Sequence, residues 1–244
     1  MPSQAGSTQR LAEIVQVDVT TIPDVVERLT QVYEYAGSST TAGENDGIVC
    51  FTELYRTITE TVDTENYEDR DFLVRLDLEF ARRYFLALRS YASDRGSAPH
   101  PWRLLFDARS NPDIERVQFA AAGVNAHINY DLAAALLATW GDFAPNDARQ
   151  RDFGKINDVF DRHMDGLRQR YNAPFGDVGV DGSVFDRLSN VISSVLVRGT
   201  RANAWIDAMH VWNADDRETA RGRLLEELSV VASLLGRALL LPFL

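Results

Sequence analysis

Four polar side chains, Asn125, His127, Asn129 and Asp131, fall within seven residues of a stretch that is otherwise small and apolar, DIERVQFAAAGVNAHINYDLAAALLATW. On a helix, positions four apart stack, so His127 and Asp131 share one face and Asn125 and Asn129 another. A carboxylate beside a buried imidazole sets the ring's tautomer and orientation and favours its protonated form, which suits general acid or base work near neutral pH. The same pair offers two ligands to a metal. The plainer alternative is a satisfied core pair, because buried polar groups find partners in any large interior. Left unmet, each of these groups would cost on the order of 1 to 3 kcal/mol. Other side chains, water or a ligand must therefore face them.

Partners are available on other helical stretches. Asp77 and Tyr84 lie seven apart on one face, Asp152, Asn157 and Asp161 share a second helix, and Arg201 and Trp205 lie four apart on a third. The expected roles follow from side-chain chemistry. His127 is the acid or base, Asp131 orients it and Asp77 is a further catalytic carboxylate. Asn125, Asn129, Tyr84, Asn157, Arg201 and Trp205 bind polar or flat parts of a substrate. In the metal alternative His127, Asp131 and Asp77 are the ligands of a divalent ion, joined by a carboxylate from the 152 to 161 stretch; otherwise no cofactor is expected. A third reading keeps the cluster as a device that specifies one packing and assigns no catalysis. Other chemistries have no motif here: no glycine-rich phosphate loop, no HExxH, no Ser elbow, no Cys-His nucleophile and no paired Glu-x-x-His.

The elements that must position these residues read as all-α. Thr21-Ile22-Pro23-Asp24 is a helix start, followed by Val25, Val26, Leu29, Val32 and Tyr33 at helical spacing. A Gly/Ser/Thr/Asn loop over 37 to 47 leads to a second helix from 48 to about 62. Residues 71 to about 91 carry Phe72, Leu76, Phe80, Tyr84 and Leu88 every four positions, an apolar stripe with Asp77 beside it. A short helical turn over 102 to 108 precedes the central helix, about 113 to 140, which is apolar on every side and so expected to be buried on every side. Helices over 148 to 171, 184 to 212 and 215 to 240 complete the pattern, the last with Leu224, Leu228, Val231, Leu234, Leu235 and Ala238 facing inward. The expectation is a single-domain bundle of seven or eight helices over 21 to 244, preceded by a loose arm over 1 to 20.

Bulk properties narrow the partners. With 36 acidic against 25 basic side chains and a net charge of -11, the chain is a poor match for phosphate backbones or anionic membrane surfaces. A small-molecule ligand is the expected partner, with neither nucleic acid nor membrane, and a homo-oligomer is compatible. The single cysteine, Cys50, permits no internal disulfide, and the first ten residues lack a secretory pattern, so a cytoplasmic protein is expected.

The run from Ala122 to Leu132 (AGVNAHINYDL) resembles the signature of an uncharacterised bacterial family, a domain of unknown function common in actinomycetes. Its members read Gly-(Met/Ile)-Asn-Ala-His-Ile-Asn-x-Asp-Leu. The likeness extends to Asp46-Gly47-Ile48-Val49-Cys50-Phe51 with Leu54-Tyr55, to Arg75-Leu76-Asp77 with Phe80-Ala81 and Tyr84-Phe85, to Asp152-Phe153 with Ile156-Asn157, and to Arg201 with Ala204-Trp205. It thus spans roughly residues 20 to 212. One departure is Arg82, where the family tends to have Asn. The resemblance implies an all-helical fold and supports the choice of site; it brings no activity with it. The expected function is general acid-base chemistry on a small, largely apolar metabolite, such as an isomerisation, cyclisation, elimination or hydrolysis in secondary metabolism.

Overall fold

The computed structural model describes residues 4–16, 18–172 and 194–242, with side chains for 9–16, 18–159 and 199–242. The described residues form helices and no strand. In chain order they are α1 (Gln4–Ile14), α2 (Ile22–Ser39), α3 (Gly47–Val62), α4 (Arg70–Ser93), α5 (His100–Ala108), α6 (Arg116–Ala126), α7 (Leu132–Thr139), α8 (Asp147–Asn172), α9 (Ser194–Trp212) and α10 (Arg217–Leu239). A single π-helical turn, His127–Asp131, joins α6 to α7, so the three make one rod. Among the described residues none of the helices is long and apolar enough to cross a membrane.

Helix starts are set by side chains that accept the otherwise unmet N–H groups of the first turn. Thr21 and Asp24 form a reciprocal capping box at α2, with Pro23 in its first turn. Asp46, Asp69 and Asp216 cap α3, α4 and α10 by accepting from Ile48, Phe72 and Thr219. Asp152 on α8 is used the same way across the fold. Its two oxygens accept from the backbone N–H groups of Glu68 and Asp69 at 3.0 and 2.7 Å, pinning α8 to the entry of α4.

The α6-π-α7 rod runs between two hydrophobic clusters. One gathers the C-terminal half of α3, the N-terminal half of α4, α8 and α9 around Leu132, Leu136 and Trp140 of the rod. The other gathers α1, α2, the start of α3, the end of α4 and α5 around Phe119, Ala122 and Ala126. Phe80 and Val124 pack against both. The expected burial of the rod holds on the two faces that meet these cores and not all round: Asn129, Tyr130 and Leu137 are half-buried and Ala138 is exposed.

Two expectations are corrected. The stretch read as a loose arm contains α1, whose Leu11, with Val15 and Val19 after the helix, is buried in the second cluster. Leu11, Ile14, Val15 and Val19 already stand at helical spacing in the sequence, but a helix this short is held only where α2 and α4 supply the surface it covers. On α10 the inward face is Ala232, Ser233 and Gly236, whereas Val231, Leu234 and Leu235 are exposed. Small residues turn inward there because α10 lies close over α6, where Gln118 donates to the carbonyls of Leu239 and Leu241 and Asn125 donates to that of Ala232. Only Leu224 and Leu228 keep the packing expected of them, half-buried against the first cluster.

Gly123 permits a close approach inside the rod. A Cβ built there would sit 2.3 Å from the ring of Phe51, far inside van der Waals contact. Phe51 cannot yield, since Tyr84, Trp102 and His127 surround it with ring centroids 5.0, 5.1 and 5.6 Å away. Gly123→Ala is therefore expected to destabilise the chain by about 2 to 3 kcal/mol despite the better helix propensity of alanine, and urea unfolding followed by circular dichroism measures it. A loss below about 0.5 kcal/mol would show that the rod and α3 can part at no cost.

Candidate active site

A cavity of about 40 Å³ lies where the two clusters meet, lined by α3, α4, the rod, α8 and α9. Its wall is largely apolar, with Phe51, Leu54, Ile58, Leu76, Phe80, Ile128, Leu132 and Ile156 among the lining side chains. Five polar residues reach it: Tyr55 and Thr59 from α3, Asp77 from α4, His127 from the π turn and Arg201 from α9.

His127 is the most constrained of these. Its Nδ1 lies 3.1 Å from Oδ2 of Asp131, and the same oxygen accepts the indole N–H of Trp102 at 2.8 Å. An indole nitrogen can only donate, so Oδ2 acts as acceptor; the assignment consistent with both contacts puts the imidazole proton on Nδ1 and the lone pair on Nε2. Phe80 stacks on the imidazole with centroids 3.4 Å apart and planes at 10°, and Tyr55 meets it edge-on at 4.6 Å. His127 Nε2 is buried and has no hydrogen-bond partner among the described residues. Burial holds the ring's pKa below its ordinary value, outweighing the opposite pull of Asp131, so the ring is neutral at pH 7.

Asp77 has the complementary perturbation. Its Oδ2 is buried without a hydrogen-bond partner. Burial, aided by the negative charge of Asp63 and opposed by Arg201, raises the carboxyl to about 7. Arg201 is 2% exposed, with its guanidinium carbon 4.5 Å from the centroid of Phe153 and a long hydrogen bond, 3.4 Å, from Nη2 to the Phe153 carbonyl. Burial lowers it to about 10, which leaves it a cation at neutral pH with its Nε unpartnered. Burial pushes the Tyr55 phenol up, so its hydroxyl stays protonated beside Thr59. A neutral base, a carboxyl near its midpoint and a fixed cation thus share one apolar enclosure. Such a set can remove a proton from one atom of a small molecule, return one to another, and stabilise negative charge that develops between them.

The structure brings together His127, Asp131, Asp77 and Arg201 and disperses the other candidates. Asn125 and Asn129 do pair, at 2.8 Å, but on the side of the rod that faces α10, where Asn125 holds the Ala232 carbonyl; they tie helices together and do not line the cavity. Tyr84 bonds Thr52 at 2.7 Å within the second cluster. Trp205 packs against Phe72, Trp140 and Phe153. Asn157 leaves its Oδ1 buried and unpartnered one residue beyond the lining Ile156, and is not itself part of the wall. Asp161 lies outside the described side chains. Arg82, the departure from the resembling family, bonds Glu79 and the Val19 carbonyl away from the cavity.

For the metal alternative, His127 and Asp77 line the cavity while Asp131 does not, and Asp161 lies outside the described side chains. Asp131 engages the Nδ1 edge of His127 and also accepts from Trp102. Among the described residues no group of three or more His, Cys, Asp or Glu is placed to hold a metal.

Trp102, Tyr55, Thr59 and Phe80 complete the site without having been picked out by their chemistry. Trp102 had a usable signal, since a buried indole N–H favours an acceptor and carboxylates are scarce in the apolar stretches. Tyr55 and Thr59 lie four apart on α3, one turn beyond Phe51, and look like ordinary core positions until α4 and the rod are placed against them.

A family model described as a family of unknown function, DUF5995, matches residues 22–242. No curated protein and no solved structure matches the chain.

Two stability measurements follow from these contacts. Asp131→Ala leaves the Trp102 and His127 N–H groups buried without an acceptor and is expected to cost about 3 kcal/mol, against about 1 for Asp131→Asn, which keeps an oxygen in place. Equal losses would mean the shared oxygen is unimportant. Asp77 keeps its proton to about 7 in the folded chain and only to its ordinary value of 3.8 when unfolded. A raised folded value favours the folded state below the unfolded pKa, and that contribution is lost as pH rises towards 7. Asp77→Asn should therefore raise stability at pH 8 by about 1 to 3 kcal/mol and flatten the decline between pH 4 and 7. An unchanged pH dependence would contradict the burial of this carboxyl.

Proposed function

Since the chain belongs to the DUF5995 family of unknown function, we propose its activity from its own geometry: a general acid-base enzyme that moves a proton on a small, largely apolar molecule. The observation that carries this reading is the unpartnered Nε2 of a neutral, Asp131-oriented His127 inside an apolar cavity. Nε2 takes a proton from the substrate, and the resulting imidazolium is balanced by Asp131 through Nδ1–H. Protonated Asp77 delivers a proton to a second atom, and Arg201 stabilises the oxyanion that forms in between. Transfer of the proton from imidazolium to the Asp77 carboxylate resets the pair, so an isomerisation consumes no co-reactant. The chain's one cysteine is not a competing nucleophile, because burial pushes the Cys50 thiol up to about 12.

The proposal extends to a cytoplasmic enzyme acting on an intermediate of secondary metabolism, and to the run from Gly123 to Leu132 as the part of the bacterial family signature that builds the base. Support for the last point is local: Gly123 admits Phe51, His127 is the base and Asp131 its orienter.

The test needs no prior substrate. Incubated with a small-molecule extract in deuterated water, the protein should introduce deuterium into, or convert, at least one compound detected by mass spectrometry, and His127→Ala should slow that conversion by about a hundredfold or more. Its rate should rise with pH as His127 loses its proton, below the ordinary histidine range, and fall above about 7 as Asp77 ionises. A conversion indifferent to His127→Ala removes the imidazole from the mechanism, and no protein-dependent change in any compound counts against catalysis itself.

A further inference from the structure

The volume of the acid-base cavity poses a problem that the surrounding structure answers. About 40 Å³ holds one or two waters, whereas a cavity that takes benzene measures roughly 150 Å³. An apolar substrate must therefore place its body elsewhere. On the opposite side of the π turn lies a second, larger concavity of about 170 Å³, between α9, α10 and the rod. Its floor is Ala133, Ala204 and Ile128, its apolar flank is Leu228, Val231 and Leu235 of α10, and its rim carries Asn129, Asn203 and Asp207. Ile128 lines both spaces. It is the residue next to the base, in the one turn of the rod that departs from α-helical geometry, and π turns inserted in α-helices occur often at functional sites.

We propose that the groove between α9 and α10 is the body-binding half of the substrate site, and that displacement of the Ile128 side chain joins it to the cavity that holds His127, Asp77 and Arg201. This inference rests on the acid-base reading and deepens it by naming the substrate class: an uncharged molecule with an apolar body about the size of a benzene ring and a carbonyl-type oxygen at the end that enters the cavity. The exposure of Val231 and Leu235, at 51% and 42%, then has a use. They are the groove's apolar wall. The amides of Asn129 and Asn203 at the rim accept or donate to whatever part of the ligand remains outside, and Arg201 receives the oxygen at the inner end.

The test reads access to His127 and is independent of turnover. Asn203→Cys places a thiol on the rim of the groove, while the native Cys50 is buried and unreactive. Capping the new thiol with a benzyl thiosulfonate should slow acylation of His127 by diethyl pyrocarbonate several-fold, as followed by peptide mass. The same cap on Ala202→Cys, exposed one residue away and outside the groove, should not. Phenol added to the wild-type protein should shift the methyl resonances of Val231 and Leu235 together with the ring protons of His127. In Ile128→Trp it should still shift the two methyl groups and no longer reach His127. His127 acylated equally fast with and without the cap, or not at all in either protein, overturns the groove, as does phenol that leaves Val231 and Leu235 unmoved. If capping blocks access while His127→Ala leaves the conversion in extract unchanged, the groove stands and the catalytic reading falls; unimpeded access with a His127-dependent conversion gives the reverse.

Discussion

One carboxylate oxygen organises this molecule's interior. Oδ2 of Asp131 accepts the indole N–H of Trp102 from α5 and the Nδ1–H of His127 from its own turn of the rod. Both donors are deeply buried, so the oxygen sets where α5 meets the rod and which nitrogen of the imidazole keeps a lone pair. Phe51, Phe80 and Tyr55 then close around the ring. The aromatic cage depends on the imidazole being held still, and the imidazole is held still by that bond. Gly123 is the steric counterpart, since only a residue without a Cβ lets Phe51 come this near.

The cavity beside the cage is a consequence of how the two hydrophobic clusters meet. Each packs its own helices well, and the rod is the shared wall, but α3 and α4 cross from one cluster to the other along their length and leave a space at the crossing. Polar atoms that face this space without partners, His127 Nε2, Asp77 Oδ2 and Arg201 Nε, work against folding. A core that only needed stability would fill such positions with methyl groups, as it does elsewhere along the same rod. Enclosure also explains the direction of every perturbation: burial pushes His127 and Arg201 down and Asp77 and Tyr55 up, each towards its uncharged form. Asp77 and His127 are moved in opposite senses, so that the carboxyl, at about 7, titrates above the imidazole, an order that the two groups would not adopt in water.

Much of the architecture was legible. The helix start at Thr21 to Asp24, the four-residue stripe from Phe72 to Leu88 and the apolar character of the central stretch are local properties, and local geometry with periodic burial reproduces them. The His127–Asp131 and Asn125–Asn129 pairs were legible too, because a four-residue spacing brings side chains together whether the turn is α or slightly wider. What escaped was which of the two faces holds a cavity. Asn125, Tyr84 and Trp205 have the same apolar surroundings as residues that line the space and serve packing instead, and Asn129 lies at the rim of the groove on the α10 side. The inward face of α10 was misjudged for a related reason. Leucine and valine are expected inside, but a helix lying close over α6 can only present Ala232, Ser233 and Gly236 to it, so the larger residues turn outward and line a groove.

The amino-acid sequence by itself determined the helical class, the buried rod and the pairing of His127 with Asp131, because these depend on spacing along one helix and on the cost of exposing apolar surface or hiding unpaired polar groups. The tertiary structure alone decided that Trp102 would share the Asp131 oxygen, that Tyr55, Thr59, Asp77 and Arg201 would meet at His127, and that the rod would take a π turn at this point. Those facts join residues as many as 146 positions apart, from Tyr55 to Arg201. Such neighbours are chosen by how whole helices pack, and no spacing within a single helix encodes the choice.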